Sequence, residues 1–266
     1  MPDLSLRSIF NSAAKAYDAI RPGYPDALIA DIIALANLPS RARLLEIGCG
    51  TGQATRSFAP RGYEILCLDI GPDLIALAQE NLRAYPNVRF QNVSFENWPA
   101  APEGFDLVYS ATAFHWVPPE IGYPKAAQVL WPGGSLAVFS NEHPYQYTGF
   151  FEEVQEIYNR QVPEWQVQAK TAPARMHTMD EIRAEAAFID STGLFAPVVV
   201  RTYPWSRTYT TVEYLTLLNT YSNHRNLAEP RRQQLYQSIA DLIEQRYGGS
   251  VEKDYLAVLF LAKKGN

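Results

Sequence analysis

The sequence predicts an α/β fold built on a doubly wound, mostly parallel β-sheet. Short apolar segments typical of buried strands alternate with amphipathic segments of helical periodicity between residues 26 and 140. Turn residues separate these segments regularly, and this alternation is the pattern of sheets with parallel strands. The first strand ends in a turn that contains Gly48, Gly50 and Gly52. Ligands of such sheets bind at the carboxyl ends of the strands, so we expect the functional site at this edge.

Length and composition indicate one large domain, or one domain with an insertion, for the 266 residues. The apolar fraction of 47% is sufficient for a full core, and the net charge of −5 disfavours a nucleic-acid partner. The sequence has no apolar run of the about 18 residues that a membrane span requires, and no apolar signal segment at its N-terminus. Cys49 and Cys67 fall at predicted buried positions. We therefore expect a cytoplasmic protein without disulfides, membrane partner or metal ion.

The individual elements follow from local periodicity and turn residues. Residues 4–20 place apolar side chains at helical spacing, and the segment Arg21-Pro22-Gly23-Tyr24-Pro25 ends this helix. A second helix begins at Asp26 and ends before Pro39. The predicted strands are 44–47, 63–68, 88–92, 105–110, 135–140, 197–203 and 255–262. The later predicted helices are 72–82, 118–130, 150–160, 178–193, 210–221 and 229–247, with a sharp turn at 131–134.

The turn at residues 48–52 has the properties of a ligand site. Glycine adopts backbone angles that are closed to other residues, and without a Cβ atom a ligand can lie directly against the main chain. A helix is expected to follow at once, and its first N–H groups and positive dipole end would attract a negative or polar group. Many nucleotide sites share this geometry, so the spacing of the glycines has to separate them.

That spacing differs from two common nucleotide-binding turns. A dinucleotide site has G-x-G-x-x-G and a phosphate loop has G-x-x-x-x-G-K-[ST], whereas this chain has G-x-G-x-G with no following lysine. Glu46 would repel a pyrophosphate and favour a cationic ligand. The segment Glu46-Ile47-Gly48-Cys49-Gly50-Thr51-Gly52 resembles motif I of the class I S-adenosylmethionine (SAM) dependent methyltransferases. SAM carries an ammonium, a sulfonium and no phosphate. The resemblance implies SAM as cofactor and S-adenosylhomocysteine as product.

Three further segments are similar to this family. The pattern F-x-x-x-A-x-x-Y-D-x-x-R-P-x-Y-P, which starts at Phe10, resembles the N-terminal lid of small-molecule methyltransferases. Residues 105–116, F-D-x-V-x-S followed by His115-Trp116, resemble the motif IV region of trans-aconitate-type enzymes, in which Thr112 is expected to face the sulfonium. Residues 130–136 match L-x-P-G-G-x-L. The resemblance implies a seven-stranded sheet whose last strand is antiparallel, and a Rossmann-like fold.

Residues at neighbouring strand ends are expected to complete the cofactor site. Asp69 ends the second strand and can accept hydrogen bonds from both ribose hydroxyls, as the analogous acid of dinucleotide sites does. Ile70 would then press on the adenine. The resemblance implies adenine contacts from the loop that follows the third strand. The predicted cofactor-binding residues are Tyr17, Arg21, Glu46, Gly48, Gly50, Thr51, Gly52, Asp69, Ile70, Ser94, Phe95, Glu96 and Ala111.

Methyl transfer from SAM requires mainly alignment, plus removal of a proton where the acceptor must lose one. His115 and His143 follow the fourth and fifth strands and are the candidate bases. For each of them the alternative is a structural role in its loop. The candidate acceptor-binding residues are Trp116 and Tyr145 as aromatic walls, and His224 and Arg225 as carboxylate ligands.

The sequence therefore predicts a SAM-dependent methyltransferase that acts on a small molecule at a carboxylate or hydroxyl oxygen. Two alternatives stay open: methylation of tRNA or another nucleic acid, and SAM binding without catalysis. The acidic composition and the absence of a [DNS]-P-P-[YF] motif disfavour the first. The glycine spacing disfavours a nicotinamide-dependent oxidoreductase. Within a single domain, 1–266, we predict a lid and first helix at 1–40, a SAM-binding core at 41–140, a cap at 141–196 and the rest of the sheet at 197–266.

Overall fold

The computed structural model describes residues 18, 20–100, 104–142, 149–165 and 179–265. Its strands are β1 Arg43–Ile47, β2 Glu64–Asp69, β3 Val88–Asn92, β4 Phe105–Ala111, β5 Leu130–Glu142, β6 Val199–Thr210 and β7 Ser250–Lys263. Its α-helices are α1 Asp26–Ala36, α2 Thr55–Phe58, α3 Pro72–Asn81, α4 Pro119–Val129, α5 Phe150–Gln161, α6 Met179–Ser191, α7 Thr211–Leu218, α8 Ser222–Arg225 and α9 Glu229–Arg246. No helix among the described residues is both long and apolar enough to cross a membrane.

All seven strands form one sheet in the order β3-β2-β1-β4-β5-β7-β6. The pairs from β3 to β5 are parallel, whereas β7 runs antiparallel to both β5 and β6. The strand order reverses beside β1, where the chain passes to β2 on one side and β4 lies on the other. The predicted doubly wound, seven-stranded sheet with an antiparallel last strand is confirmed.

The sheet separates two apolar clusters because successive side chains of a strand point to opposite faces. Leu44 belongs to the cluster that α1 covers with Leu28 and Ile32, and its neighbour Leu45 belongs to the cluster on the other face. Each of these side chains is fully buried. Burial of one such side chain stabilises the fold by about 1.5–3 kcal/mol, so the two clusters hold the helices against the sheet.

A third apolar cluster lies beyond the parallel part of the sheet. The pairing of β5 with β7 ends at Glu142 and Leu256, whereas β6 and β7 continue as a two-stranded extension up to Thr210 and Ser250. Helices α5, α7 and α9 contribute buried side chains to this cluster, among them Val154, Leu217 and Ile239, and β7 contributes Tyr255. The extension therefore supports a helical layer at the end of the sheet where the carboxyl ends of the parallel strands lie.

The structure differs from the sequence prediction in four elements. The predicted turn at 131–134 is a bulge inside β5, since Phe105 pairs with Leu130 but Leu107 pairs with Ser135. The strands β6 and β7 are longer than predicted because their extension packs on helices rather than on the parallel strands. The helix after the glycine turn is only Thr55–Phe58; a 3-10 turn follows, and Gly62, with a φ of 77°, ends it.

Two parts of the predicted domain division lie partly outside the described residues. Of the predicted N-terminal helix at 4–20, only Asp18 and Ile20 are described. In the predicted cap at 141–196, α5 belongs to the third cluster, whereas α6 packs Ile182 and Ile189 against the sheet itself. The division into lid, core and cap stays a prediction, and α6 is a layer of the core rather than part of a cover.

Candidate active site

A cavity of about 650 Å³, including space open to solvent, lies at the carboxyl ends of the central strands. Its lining includes Glu46 and the glycine turn, Arg21, Pro22 and Tyr24, Ala111 at the end of β4, and Asn141 of β5. Tyr221 and Tyr255, from the helical layer and its supporting strand, also line the cavity. The predicted edge of the sheet thus contains a cavity.

The glycine turn needs glycine for two separate reasons. Gly48 and Gly52 have φ angles of 70° and 90°, and Cβ atoms there would lie 2.5 Å from Cβ of Ala113 and 2.7 Å from Cδ1 of Leu82. These two positions are therefore fixed by close packing. At Gly50 the φ angle is 56°, and a Cβ would approach nothing closer than Oε1 of Gln53 at 3.8 Å. The backbone at Gly50 consequently borders open space that a ligand can enter.

The carboxylate of Asp69 holds this turn in place. Its Oδ2 accepts a hydrogen bond from the Gly50 N–H and its Oδ1 accepts one from the Gly71 N–H, both at 2.8 Å. A carboxylate has roughly four acceptor positions, so a carboxylate that restrains the backbone can also accept from a ribose hydroxyl. The backbone role of Asp69 was not expected from the sequence, and its ribose role stays a prediction.

Glu46 is a buried carboxyl group that borders the cavity, with 1% of its surface exposed. Its Oε2 accepts hydrogen bonds from Oγ1 of Thr55 at 2.5 Å and from the hydroxyl of Tyr109 at 2.7 Å. Burial raises the pKa of Glu46 to about 7, against the opposing effect of these two hydrogen bonds. A cation that entered the cavity would favour the ionised form of this group.

The N-terminal side of the site is attached to the glycine turn through Asp18, which the sequence analysis did not select. Its Oδ1 accepts hydrogen bonds from Oγ1 of Thr51 at 2.8 Å and from Nη2 of Arg56 at 2.6 Å. Thr51, a predicted cofactor residue, is fully buried by this contact. Asp18 is part of the lid pattern in the sequence, so that pattern was the available signal. The predicted Tyr17 lies outside the described residues.

Arg21 and Ala111, both predicted cofactor residues, line the cavity. The guanidinium of Arg21 lies 5.0 Å from the centre of the Tyr221 ring, and its Nη2 donates to the carbonyl of Thr220 at 3.4 Å. These contacts join Arg21 to the helical layer. The positive charge of Arg21 is thereby held at the cavity wall.

The predicted adenine contacts follow the ends of β2 and β3. Ile70 is 39% exposed, as a residue that packs on a ligand would be in its absence. Oγ of Ser94 accepts a hydrogen bond from the Asn97 N–H at 3.2 Å, and the ring of Phe95 is buried against Trp98. Glu96 is held through its carbonyl by Nζ of Lys125 at 3.0 Å. Adenine contacts from Ser94, Phe95 and Glu96 stay predictions.

The structure does not bring the predicted catalytic and acceptor-binding residues together. His115 is exposed in the 3-10 turn Phe114–Trp116, with its ring centroid 4.9 Å from that of Trp116. Neither is among the described residues that line the cavity. His143 and Tyr145 lie outside the described residues. Their roles therefore stay predictions, and the structure supports the alternative that His115 packs on Trp116.

His224 is part of the third apolar cluster rather than of the cavity wall. It is 2% exposed and surrounded by the rings of Tyr158, Trp165, Tyr221 and Tyr236. Burial and then the charge of Arg232 lower the pKa of His224 to about 3, so the ring is neutral. Arg225 is half-buried in α8, and neither residue lines the cavity. The geometry gives no support to their predicted role as carboxylate ligands.

Comparison with known proteins agrees with the fold and the glycine turn. Residues 44–134 match the family model for a methyltransferase domain. An uncharacterized methyltransferase of Mycobacterium tuberculosis is 33% identical over 159 residues, which are 59% of this chain and 61% of that protein. Trans-aconitate 2-methyltransferase of Variovorax paradoxus is 32% identical over 111 residues, 41% of this chain and 42% of that enzyme.

A solved structure extends the likeness to the whole fold. Phosphoethanolamine N-methyltransferase 2 of Haemonchus contortus, in complex with SAM, matches with a TM-score of 0.57 at 16% identity, over 100% of this chain and 61% of that one. The chain thus spans about 61% of the length of the mycobacterial relative and of this structure. Together with the family match, the prediction of a class I SAM-dependent methyltransferase domain is confirmed.

The close approach of Gly48 to Ala113 leads to a first prediction. Gly48→Ala would combine a left-handed alanine with a 2.5 Å contact between Cβ atoms, so we expect a loss of about 2–5 kcal/mol in the free energy of unfolding, measured with urea. Gly62→Ala is the matched control, because its φ is 77° but a Cβ would meet nothing within 4 Å; it should lose only about 1–2 kcal/mol. Adding Ala113→Gly to Gly48→Ala should recover the difference. Equal losses for the two single variants would contradict the steric account.

The buried carboxyl of Glu46 leads to a second prediction. Because its pKa rises from 4.5 to about 7 on folding, the folded protein keeps a proton that the unfolded chain releases between these pH values. The free energy of unfolding should therefore fall by up to about 3 kcal/mol as the pH rises through this window. Glu46→Gln does not titrate and should lack this decrease in urea unfolding between about pH 5 and about pH 8. The control variant Glu80→Gln, at an exposed position, should keep the decrease in the free energy of unfolding. Parallel curves for wild type and Glu46→Gln would refute the assignment.

Proposed function

Because the chain carries a class I SAM-dependent methyltransferase domain, we propose that the protein transfers the methyl group of SAM to an oxygen atom of a small molecule, with a carboxylate as the acceptor group. The observation that carries this proposal is the cavity itself. Its lining includes the glycine turn, Glu46 and Arg21. Glu46 suits a cationic cofactor, and Arg21 suits an anionic acceptor.

The residues present fit SAM. The carboxyl of Glu46 borders the cavity and would pair with the ammonium group, while the open space at Gly50 admits a ligand against the backbone. Asp69 keeps acceptor capacity for a ribose beside that turn. Among the described residues that line the cavity, the charged ones are Arg21 and Glu46. A pyrophosphate would therefore meet a carboxyl group at the turn, which disfavours a dinucleotide.

The lining residues also favour a carboxylate over a hydroxyl as acceptor. A hydroxyl must lose a proton during methylation, whereas a carboxylate is already ionised at neutral pH. No histidine is found among the described lining residues, whereas the cation Arg21 is one of them. A carboxylate acceptor needs only to be bound and aligned. Under this proposal the reaction requires no general base, and His115 therefore needs no catalytic role.

SAM supplies the methyl group and a sulfonium leaving group. The chain's own contribution is to hold both reactants in line and to exclude water, and alignment of this kind can supply about 7–11 kcal/mol of the barrier. Glu46 and the glycine turn would orient the cofactor, and Arg21 would bind the acceptor. We further propose a cytoplasmic protein without a nucleic-acid partner, supported by the two buried free cysteines and the net charge of −5.

Cofactor binding is the first test. In calorimetric titrations we expect SAM and S-adenosylhomocysteine to bind and NAD⁺ not to bind. Asp69→Ala should weaken SAM binding by at least about tenfold, because it removes the ribose acceptor and the restraint on Gly50. The matched control is Asp241→Ala, in the C-terminal half of α9. This variant should bind SAM with the affinity of the wild type. Absence of SAM and S-adenosylhomocysteine binding at millimolar concentration would overturn the proposal.

Product chemistry is the second test. With SAM labelled in its methyl group, we would screen carboxylic acids, including trans-aconitate because of the relative named above, together with alcohols, phenols and total tRNA. We expect label in a carboxylic acid as a methyl ester, which alkali hydrolyses to labelled methanol. Alkali-stable label in an alcohol or phenol would contradict the carboxylate acceptor. Label in tRNA alone would support the nucleic-acid alternative, and no turnover with SAM bound would support a non-catalytic SAM-binding protein.

A further inference from the structure

Two hydroxyl groups that are far apart in the sequence meet at the cavity wall. The hydroxyl of Tyr24 and Oγ1 of Thr112 form a hydrogen bond of 2.7 Å across a separation of 88 residues. Both residues line the cavity, next to Ala111. Thr112 directly follows β4, so this bond joins the segment 21–24 to the central sheet. Thr112 is the residue that is expected from the sequence to face the sulfonium, and Tyr24 has no predicted role.

Strand β5 holds both members of this pair in position. The ring of Tyr24 packs edge-on against Phe139 at a centroid distance of 4.8 Å, and the carbonyl of the preceding Gly23 accepts a hydrogen bond from Nδ2 of Asn141 at 2.9 Å. The N–H of Thr112 donates to the carbonyl of Phe139 at 2.8 Å. The pair itself is exposed at the cavity wall, and contacts with Phe139 and Asn141 of β5 fix its position.

Thr112 is held in an unfavourable backbone conformation. Its φ angle is 57°, in the left-handed region that β-branched residues rarely adopt. Such strain persists only where the surroundings impose it, and it is concentrated at functional sites. Asparagine or glycine would adopt these angles more easily, so the hydroxyl of Thr112 is the property that the strained position retains. The strain therefore points to a function of this hydroxyl in the cavity.

We propose that Thr112 and Tyr24 form the subsite for the nucleophilic oxygen of the acceptor. In this arrangement Tyr24 donates its proton to Oγ1 of Thr112, and Thr112 donates its own proton to one lone pair of a carboxylate oxygen. Thr112 contacts the acceptor, and Tyr24 is a positioning residue that acts through it. A chain of hydroxyls that ends on a charged acceptor is strengthened along its length, so the pair selects a carboxylate over a neutral oxygen.

This inference rests on the proposed methyl transfer and specifies its geometry. The second lone pair of the carboxylate oxygen forms the new O–C bond to the methyl carbon. The C–S bond breaks, and its electron pair stays on sulfur as a neutral thioether. No proton leaves the acceptor, so the two hydroxyls keep their protons throughout. The carboxylate and the sulfonium lose their charges together, and the products are an ester and S-adenosylhomocysteine.

Acetate is the probe for this subsite, because it is small enough to reach a carboxylate subsite whatever the rest of the acceptor looks like. Its binding to protein saturated with S-adenosylhomocysteine would be measured by ligand-observed NMR, with chloride as a non-specific anion. We expect Thr112→Val to weaken acetate binding by about tenfold and Tyr24→Phe by about threefold to tenfold. Thr112→Ser, which keeps the hydroxyl, should bind acetate within about twofold of the wild type.

Two controls separate this role from a merely structural one. The first control is Tyr203→Phe. The hydroxyl of Tyr203 donates a hydrogen bond to Oδ2 of Asp31 at 2.6 Å, and Tyr203 is not among the described residues that line the cavity. Acetate binding of this variant should be unchanged. Thr112→Gly should lose acetate binding while its unfolding temperature stays the same or rises by about 2–4 °C, because glycine relieves the strain. A structural role for the hydroxyl predicts a lower unfolding temperature instead.

The outcomes distinguish the subsite from the proposed function. If S-adenosylhomocysteine does not bind the wild type, the methyltransferase proposal fails and the subsite fails with it. If S-adenosylhomocysteine binds but acetate does not, or if Tyr24→Phe and Thr112→Val bind acetate as the wild type does, only the subsite is overturned. Loss of acetate binding in both variants, with recovery in Thr112→Ser and S-adenosylhomocysteine still bound, supports it.

Discussion

The buried carboxyl of Glu46 is the constraint on which the rest of the site depends. It stands on β1, at the centre of the sheet, and its Oε2 is the common acceptor for Thr55 of α2 and Tyr109 of β4. A carboxyl group buried to this degree opposes folding unless it is hydrogen-bonded, so the neighbouring elements must supply these donors in fixed positions. The start of the glycine turn is thereby tied to α2 and to the neighbouring strand β4. An apolar residue would serve packing better, and the retained carboxyl is consistent with a ligand of positive charge.

The proposed acceptor side of the cavity depends on contacts between residues that are far apart in the sequence. Asn141 donates to the carbonyl of Gly23 and accepts from Nε1 of Trp205, at 2.9 and 3.0 Å. Trp205 in turn stacks on Tyr255, which lines the cavity from the extension of β6 and β7. The same extension carries the third apolar cluster. The segment 21–24 is therefore coupled to the helical layer through Asn141 of β5 as well as through Arg21, which contacts Tyr221 and Thr220.

Most of the parallel sheet could be predicted from the sequence because its signals are local. The strands β1, β2 and β4 are short, mostly apolar segments between turn residues, β3 alternates Val88 and Phe90 with polar residues, and the glycine turn is identified by the spacing of its glycines. The lengths of β6 and β7 could not be predicted in this way, since residues such as Tyr209 and Tyr255 pack on helices that lie elsewhere in the sequence. The bulge in β5 has the same explanation: Gly133 suggests a turn, and only the pairing of Leu130 with Phe105 shows that the strand has already begun.

The cofactor half and the proposed acceptor half of the site also differ in how far the sequence predicts them. Contiguous sequence motifs identify the cofactor half. The glycine turn and Asp69, which ends the next strand, are brought together by the sheet topology alone. The acceptor half is assembled from residues such as Tyr24, Thr112 and Asn141, which no motif marks as partners. The predicted histidines show that residue type alone does not identify a site residue. His224 carries a titratable ring, but this ring is buried among aromatic side chains and is neutral. In a reaction that needs alignment more than proton transfer, hydroxyls held by the fold are better suited to the acceptor than a free base. The chemistry of the site thus follows from which side chains the sheet edge brings together, more than from which titratable residues the chain contains.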